Sequence, residues 1–521
     1  MIQGDHLDVQ NVSPSPAAYA RLYSSVDNEY AQNEYQNTTA ETENYANEKT
    51  PLLGASFINE LQNVDVIKTK SRDRSGSDTS SSTSSEGLSI WTLSREQKII
   101  IATTSFVDLL MFLSISIMAP FFPEEALSKG VSDTLSGWIF GTSPFVQFLV
   151  SPFIGKLIPH TGVKFMFLAG MFLFSGCTVL FGALTYVPTD HGNGAFIALA
   201  FCLQVFKSVG TACASTASFT LLIHTFPDNV STMFGIGEIF VGIGLVSGPA
   251  IGGVLFGLGG FILPFVSVGG LAMLSIPLVA YSVPSSASEL HTLPEDATSK
   301  SLPRGLLCQT GAFLICLCVV SSTVMWAILD PTLEPFLRKF KLSPEVIGVL
   351  FLVMAATYAA SSPLWGWLSD KVSDERPLLI LGFLGACLGS LLIGPSPLLG
   401  IAEGSSGLWL VIVALVIMGV SASLSSVPTF DMLLTVAQDS GFEDTTSTYS
   451  MVAGVWMSVY SLGDFIGPSV GGVLLDTVGF ELMTTFSAGL CLFMAFILSL
   501  NWMLDWQCCK RCRNGDDNEV L

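Results

Sequence analysis

Twelve long and almost uncharged stretches between residues 99 and 504 constrain this chain more than any other feature. Each is close to the roughly 20 residues that a helix needs to cross the apolar core of a bilayer. They lie at 99–122, 137–156, 164–187, 195–222, 233–256, 262–283, 310–335, 346–367, 378–400, 408–435, 448–474 and 482–504. Charged residues make up only 12% of the chain, against about 25% in a typical soluble protein. The pattern predicts an all-α membrane protein with twelve transmembrane helices.

Polar segments divide these stretches into two sets of six. We expect a disordered N-terminal tail at 1–92, a six-helix half at 93–283, a linker at 284–309, a second six-helix half at 310–504 and a C-terminal tail at 505–521. The tail is rich in serine and too polar to bury a core. Eleven Lys and Arg residues flank the spans on the side of the two tails, against four on the opposite side. By the positive-inside rule, both termini are therefore expected in the cytosol.

Composition also excludes several classes of function. The net charge of −20 makes nucleic acid an unsuitable partner. Most of the eleven cysteines lie within apolar stretches, and the five histidines form no metal-spaced pair. The chain shows neither a Ser/His/Asp arrangement nor a phosphate-binding loop. We therefore expect neither an enzyme nor a bound cofactor or metal.

Two segments rich in glycine and proline repeat 219 residues apart, at 244–253 and 463–472. Glycine lets helices approach closely inside a membrane, so we expect these segments to form the close-packed seam between the halves. The residues concerned are Gly244, Gly248, Pro249, Gly463, Gly467 and Pro468. A second repeat places a glycine before a short charged loop after the second span of each half. It comprises Gly155 and Gly162 in the first half, and Gly366 and Asp370 in the second.

These loops resemble the loop signature of the major facilitator superfamily, and the glycine-proline segments resemble its antiporter signature. The resemblance implies the major facilitator fold, a site at mid-membrane between the halves, and loops that act as a cytosolic latch. Pro159 stands where the family has Asp in the first loop, whereas Asp370 keeps the pattern in the second. The latch role is therefore better supported for the second loop.

The resemblance narrows to the vesicular amine transporter family, and within it most to the vesicular polyamine transporter branch. It covers about residues 93–505 and is carried by Leu93–Gln97, Ala119–Pro123, Lys164–Phe167, Leu329–Leu333 and Ser361–Leu364. It implies uptake of amines into acidic vesicles in exchange for protons, driven by the proton gradient. Ser423 stands where the monoamine and acetylcholine members carry Asp, and Asp464 lies nearer the glycine-proline segment than theirs does. These departures argue against a monoamine carrier.

Five carboxylates lie within the predicted spans, where each costs roughly 3 kcal/mol and marks a candidate functional site. They are Asp108, Glu238, Asp330, Glu334 and Asp464. Spaced carboxylates suit a cation with several ammonium groups, and each can bind a proton when that cation is absent. Lys207 is the one base inside a span, and it either pairs with Asp108 or Glu238 or snorkels. Tyr358 is a candidate cation–π contact.

Other roles remain open for some of these residues. Glu334 could belong to the membrane interface, Glu238 to a structural pair with Lys207, and Asp464 to helix packing. Glu48, Leu52 and Leu53 resemble an acidic dileucine sorting signal read by clathrin adaptors, although so short a pattern also arises by chance.

The sequence thus favours a proton-coupled antiporter that moves polyamines across the membrane of secretory, synaptic or lysosome-related vesicles by alternating access. Its expected partners are an organic polycation, protons and the lipid bilayer. Alternatives are an antiporter for another organic cation or a monoamine, a drug exporter, and a non-transporting receptor or scaffold of the same fold.

Overall fold

The computed structural model describes residues 93–188, 192–283, 306, 309–342, 344–394, 396 and 407–516, and these contain helices and no strand. The twelve long helices are α1 Arg95–Ser128, α2 Asp133–Thr161, α3 Val163–Gly182, α4 Gly194–Thr225, α5 Val230–Gly259, α6 Ile262–Ser282, α7 Thr310–Ala327, α8 Pro344–Ser369, α9 Arg376–Ile393, α10 Leu408–Asp439, α11 Thr446–Val478 and α12 Phe480–Asp516. The predicted sorting signal, Glu48, Leu52 and Leu53, and most of the predicted linker lie outside the described residues.

Eleven of the described helices are long and apolar enough to cross a membrane. The exception is α11, which has 33 residues but contains many Ser, Thr and Gly residues as well as Asp464. This helix packs against α2, α4, α7 and α10 inside the bundle. Most of its polar side chains between Thr446 and Ser461 are buried against other helices, where small and polar residues are favoured.

Local signals in the sequence explain where α1 begins. Ser94 accepts a hydrogen bond from the Gln97 N–H at 3.1 Å, and the Gln97 side chain accepts one from the Ser94 N–H at 3.0 Å. This reciprocal capping box satisfies two N–H groups that have no partner within the helix. The end of the bundle where α1 begins and α12 ends is called the terminal face here, and the opposite end the far face. The predicted orientation would place the terminal face in the cytosol.

The buried apolar side chains form three clusters, and each cluster belongs to one half of the chain. Two core clusters lie within residues 100–283, and a third lies within 314–498. Each set of helices therefore packs largely around apolar residues of its own.

The glycine-proline segments pack inside these sets, so the prediction that they form the seam between the halves is wrong. A β-carbon on Gly244 would lie 2.8 Å from the Leu109 carbonyl oxygen, and Gly248 lies against Ser116, both on α1. A β-carbon on Gly463 or Gly467 would lie 2.7 or 2.8 Å from the β-carbon of Thr323 or Ala327, both on α7. Pro249 and Pro468 follow these contacts inside α5 and α11. The repeat thus lets α5 pack on α1 and α11 pack on α7.

The seam between the halves is formed by α2 with α11 and by α5 with α8. A β-carbon on Gly155 would lie 2.5 Å from the Ser450 carbonyl oxygen, and one on Gly454 would lie 2.7 Å from that of Ser151. On the other side, Gly235 would meet the Ser362 carbonyl oxygen at 2.5 Å, and Gly366 lies against Ser231. Four glycines, two in each half, therefore allow the backbones to approach closely across the seam.

The predicted seventh span, 310–335, is not one helix. α7 ends at Ala327, and a five-residue helix, Leu333–Leu337, follows a turn that contains Asp330 and Pro331. Proline has no N–H to donate, and it restricts the backbone of the residue before it, which favours a break in the helix at Asp330. Non-helical backbone at membrane depth is tolerated where it lines a cavity or is buried in protein.

Candidate functional site

Four aromatic rings fill the space between the halves in the part of the bundle nearer the terminal face. Phe219 and Phe234 come from α4 and α5, and Phe430 and Trp456 come from α10 and α11. Their ring centroids are 5.2 to 5.6 Å apart in all six pairs. The Trp456 indole N–H also donates to the Thr429 hydroxyl at 3.1 Å. These four residues, called the aromatic plug, block passage between the halves toward the terminal face.

A chamber lies one helical turn beyond the plug, toward the far face. Glu238 follows Phe234 by four residues, Tyr460 follows Trp456 by four, and Ser426 precedes Phe430 by four. Positions four apart lie on the same face of a helix. The chamber is lined by both halves: Glu238, Val241, Gly242, Leu245, Ser322, Thr323, Trp326, Ala355, Tyr358, Ala422, Ser426 and Tyr460.

Glu238 and Tyr358 meet across the seam in this chamber. The Tyr358 hydroxyl lies within hydrogen-bonding reach of both the Glu238 carboxylate and the Ser426 hydroxyl. Trp326 packs edge-on against Tyr358, with ring centroids 5.3 Å apart. None of the ion pairs among the described residues involves Glu238. The chamber thus presents a carboxylate beside aromatic rings, an arrangement that attracts cations.

Asp330 and Asp464 lie together beyond the chamber. Asp464 is close enough to Asp330 for its charge to act on the Asp330 carboxylate. Tyr460 lies within electrostatic reach of both aspartates and of Glu238. Asp330 is exposed and Asp464 is half-buried. Because Asp330 lies where α7 breaks, the negative charge of its carboxylate lies beside the negative end of the α7 dipole. Discontinuous helices of this kind form ion and substrate sites in transporters.

Asp108 lies near Glu238 but not on the chamber wall. Its side chain is 8% exposed in α1, and the charge of Glu238 acts on it. Both residues belong to the first half, in which α1 packs closely against α5. The structure therefore brings together Asp108 and Glu238 on one side, and Asp330 and Asp464 on the other.

Two predicted site residues lie elsewhere. Glu334 accepts from the Arg338 Nε at 2.8 Å in an exposed i,i+4 ion pair near the far face, which is worth at most about 1 kcal/mol. Lys207 is 4% exposed, and its Nζ lies 5.9 Å from the centre of the Phe174 ring. The predicted pairing of Lys207 with Asp108 or Glu238 is not formed, and no acid among the described residues makes an ion pair with Lys207.

The second of the two predicted loops joins the halves at the terminal face. Asp370 follows α8 directly and accepts hydrogen bonds from the Ser231 N–H at 3.1 Å, the Thr232 N–H at 2.9 Å and the Thr232 hydroxyl. Ser231 and Thr232 belong to the first turn of α5, where unpaired N–H groups favour an anion. Burial raises the pKa of the Asp370 carboxyl above its ordinary value, and these hydrogen bonds partly offset that effect.

The first loop is built differently because proline replaces the aspartate. Gly162 is the single residue between α2 and α3, and its φ of +89° is one that other residues rarely adopt. The N-terminus of α11 is capped by the residue directly before it and not by the other half, since the Thr445 hydroxyl accepts from the Thr448 N–H at 3.4 Å. The latch between the halves is thus asymmetric.

Further carboxylates lie beside Asp370. The Ser369 hydroxyl donates to Glu375 at 2.8 Å. Burial, followed by the nearby charge of Asp431, raises the pKa of Glu375 to about 8, and Asp370 and Asp374 add to this effect. Arg376 does not neutralise this group, because it pairs with Asp374 at 3.3 Å and with Asp505.

Sequence reasoning missed the aromatic plug, Tyr460 and Glu375. Aromatic side chains do not stand out within apolar stretches, so the plug had no compositional signal. The position of Tyr460, four residues before Asp464, could have been noticed from the sequence because the two share a helix face.

The Major Facilitator Superfamily profile matches residues 104–329 and 315–505. The MFS-type transporter SLC18B1 of Mus musculus is 40% identical over 391 residues, which cover 75% of this chain and 83% of that protein. SLC18B1 of Homo sapiens is 38% identical over 81% of this chain and 90% of its own length. The chromaffin granule amine transporter of Rattus norvegicus is 28% identical over 66% of this chain and 61% of its own length.

These similarities confirm the predicted family and its all-α fold. Together with the apolar helices, they show a multi-pass membrane transporter rather than an enzyme. The chain belongs to the Major Facilitator Superfamily and is similar, within it, to SLC18B1 and to vesicular amine transporters.

Proposed function

We propose that the chain is a proton-coupled antiporter that moves polyamines, cations of the spermine and spermidine type, into acidic vesicles in exchange for luminal protons. The observation that carries this proposal is the chamber between the halves. It holds Glu238 with three aromatic side chains, and Asp330 and Asp464 lie just beyond it. No Lys or Arg side chain is among its lining residues in the described part of the chain.

The chemistry of the chamber favours an organic cation with more than one charge. Several carboxylates that share a low-dielectric space repel one another, and the repulsion is relieved by positive charges placed between them. The rings of Trp326, Tyr358 and Tyr460 offer cation–π contacts and apolar surface for methylene groups. A compact inorganic ion would leave this aromatic surface unused.

The same carboxylates supply a reason for exchange with protons. An ionised carboxyl group left without a counter-charge away from water is costly. When the polyamine leaves, protons can neutralise the acids, and they must leave again before the next polyamine binds. Competition for shared sites couples the two flows without any cofactor, since the gradient supplies the energy.

Alternating access follows from the closed terminal face. The aromatic plug and Asp370 close the terminal side, while Asp330 is exposed toward the far face. If the terminal face lies in the cytosol, as the basic residues predict, this conformation faces the lumen. The names of relatives from chromaffin granules and synaptic vesicles support a vesicle membrane for this chain. In this setting, clathrin adaptors would read Glu48, Leu52 and Leu53 to direct the protein there.

The test is uptake of labelled spermidine by the purified protein in liposomes that are acidic inside. We expect uptake that collapses with the pH gradient and is lost in Asp330→Asn, with normal protein recovery. Glu443→Gln, which neutralises an exposed acid at the terminal face, is the matched control and should transport normally. Full uptake by Asp330→Asn would remove that residue from the site. Uptake of monoamines but not of spermidine would replace the polyamine proposal with the alternative of a carrier for other organic cations.

A further inference from the structure

We propose that Tyr460 separates two cation subsites and thereby selects linear amines by the spacing of their ammonium groups. The inner subsite consists of Glu238, Tyr358 and Trp326, and the outer subsite consists of Asp330 and Asp464. This inference rests on the proposed function. It adds a rule for the length of the transported amine and names the residue that enforces the rule.

The inner subsite has a carboxylate held in place by the chamber wall. The Tyr358 hydroxyl lies near the Glu238 carboxylate and the Ser426 hydroxyl. Trp326 packs against the Tyr358 ring with centroids 5.3 Å apart. One ammonium group fits here, between the Glu238 carboxylate and the faces of two aromatic rings.

The outer subsite is built on the break in α7. Asp330 stands at the end of that helix, where Pro331 interrupts it, and Asp464 faces it from α11. Neither acid takes part in an ion pair within the described part of the chain. The C-terminal end of the α7 dipole adds a partial negative charge to those of the two carboxylates. A second ammonium group is therefore the fitting occupant.

Tyr460 lies between the two subsites. It lines the chamber, and it is within electrostatic reach of Glu238, Asp330 and Asp464. Its ring is stacked on Trp456 of the aromatic plug, with centroids 5.3 Å apart and planes inclined by 17°. The ring therefore cannot swing aside without losing its contact with the plug.

The spacing of the subsites follows from α11. Tyr460 lines the chamber beside the inner subsite, and Asp464 of the outer subsite lies four residues further on, which is about 6 Å along the helix axis. Two ammonium groups separated by three or four methylene groups match this spacing, and the Tyr460 ring would cover the methylene chain between them. A monoamine can fill only one subsite and leaves the carboxylates of the other without a counter-charge.

The experiment measures binding of amines to the purified full-length protein in detergent by calorimetry, alongside uptake in liposomes. The probes are butylamine, 1,4-diaminobutane and spermidine. The wild type should bind the diamine at least about tenfold more tightly than the monoamine, because a second charge-assisted contact is made. Asp464→Asn and, separately, Asp330→Asn should weaken binding of the diamine much more than binding of butylamine and so remove this preference. Glu238→Gln should weaken both.

Two variants of Tyr460 isolate its role. Tyr460→Ala should abolish the preference for the diamine, whereas Tyr460→Phe, which keeps the ring, should retain most of it. Tyr281→Phe, at a side chain that is 91% exposed, serves as the control.

The outcomes separate this inference from the proposed function. Equal binding of monoamine and diamine by the wild type, or equal loss of both in Asp464→Asn, would overturn the two subsites while polyamine uptake could still be observed. Retention of the preference in Tyr460→Ala would remove that residue from the selection. Length-selective binding without acid-driven uptake would instead overturn the proposed antiport and leave the subsites in place.

Discussion

Replacing Asp370 with alanine should open the terminal face of the transporter. The Asp370 carboxylate belongs to the second half, and it accepts from two N–H groups and one hydroxyl in the first turn of α5, which belongs to the first half. The contact exists only while the two halves are closed at this end. Its removal therefore changes the balance between conformations rather than the stability of either half.

The magnitude follows from these contacts. Each hydrogen bond to a charged group contributes about 1.5–3 kcal/mol, and the charge at the helix N-terminus adds about 0.3–1 kcal/mol. Because the contacts share one carboxylate they are not additive, and we expect about 2–4 kcal/mol less stability for the closed state. At 1.4 kcal/mol per tenfold, the closed population falls about 30- to 1,000-fold relative to the open one. Thr232→Val, which removes only the hydroxyl, should cost about 1.5 kcal/mol, the lower end of this range.

The assay is a distance distribution between spin labels at His160 and Glu443, which are exposed on different halves of the terminal face. In Asp370→Ala a longer distance should replace the short one, and Thr232→Val should show an intermediate shift. Asp439→Asn, at an exposed acid that makes no ion pair among the described residues, is the matched control and should resemble the wild type. An unchanged distribution in Asp370→Ala would refute the reasoning.

Three further predictions concern pH, packing and energetics. Since burial and the nearby charge of Asp431 raise the pKa of Glu375 from 4.5 to about 8 in the folded protein, the stability linked to its protonation is complete below 4.5 and is lost as pH rises through 8; thermal unfolding between pH 6 and 9 should show this loss, and Glu375→Gln should show less of it. Gly155→Val places a side chain against the Ser450 carbonyl and should block uptake by proteoliposomes, whereas Gly137→Ala, with open space around it, should not. Moving three charges against about 50 mV costs roughly 3.5 kcal/mol, and one proton leaving down about 1.5 pH units and down the same potential yields roughly 3 kcal/mol, so more than one proton should leave per triamine; a measured flux ratio of one would contradict this.

The sequence predicted the helices and the carboxylates of the site for a simple reason. Long apolar runs and charges within them stand out by composition, which is why Glu238, Asp330 and Asp464 could be selected from the amino-acid sequence alone. The same reasoning selected Glu334. The position of a residue within an apolar run does not show that the helix ends near Pro331 and that Glu334 therefore lies near the surface beside Arg338.

The seam between the halves could not be read from the glycine-proline repeat. A repeat shows that two segments have equivalent neighbours, but it does not show whether those neighbours belong to the same half. Gly235 and Gly454 are also 219 residues apart, and these two do lie on the seam. The difference is decided by packing partners: α1 and α7 for the glycine-proline segments, and α8 and α2 for Gly235 and Gly454.

The relocated seam bears on how the proposed antiport would couple protons to polyamine. Close glycine contacts bind α5 to α1 and α11 to α7, so Asp108 stays beside Glu238, and Asp330 stays beside Asp464, as each half moves. The chamber neighbours of Glu238, namely Tyr358 and Tyr460, instead belong to the other half. Opening the terminal face separates α5 from α8 and must strain or break the contact between Glu238 and Tyr358. We infer that Glu238 alone among these acids changes its partners during the cycle, and this makes it the residue at which a change of conformation becomes a change in affinity for cation or proton.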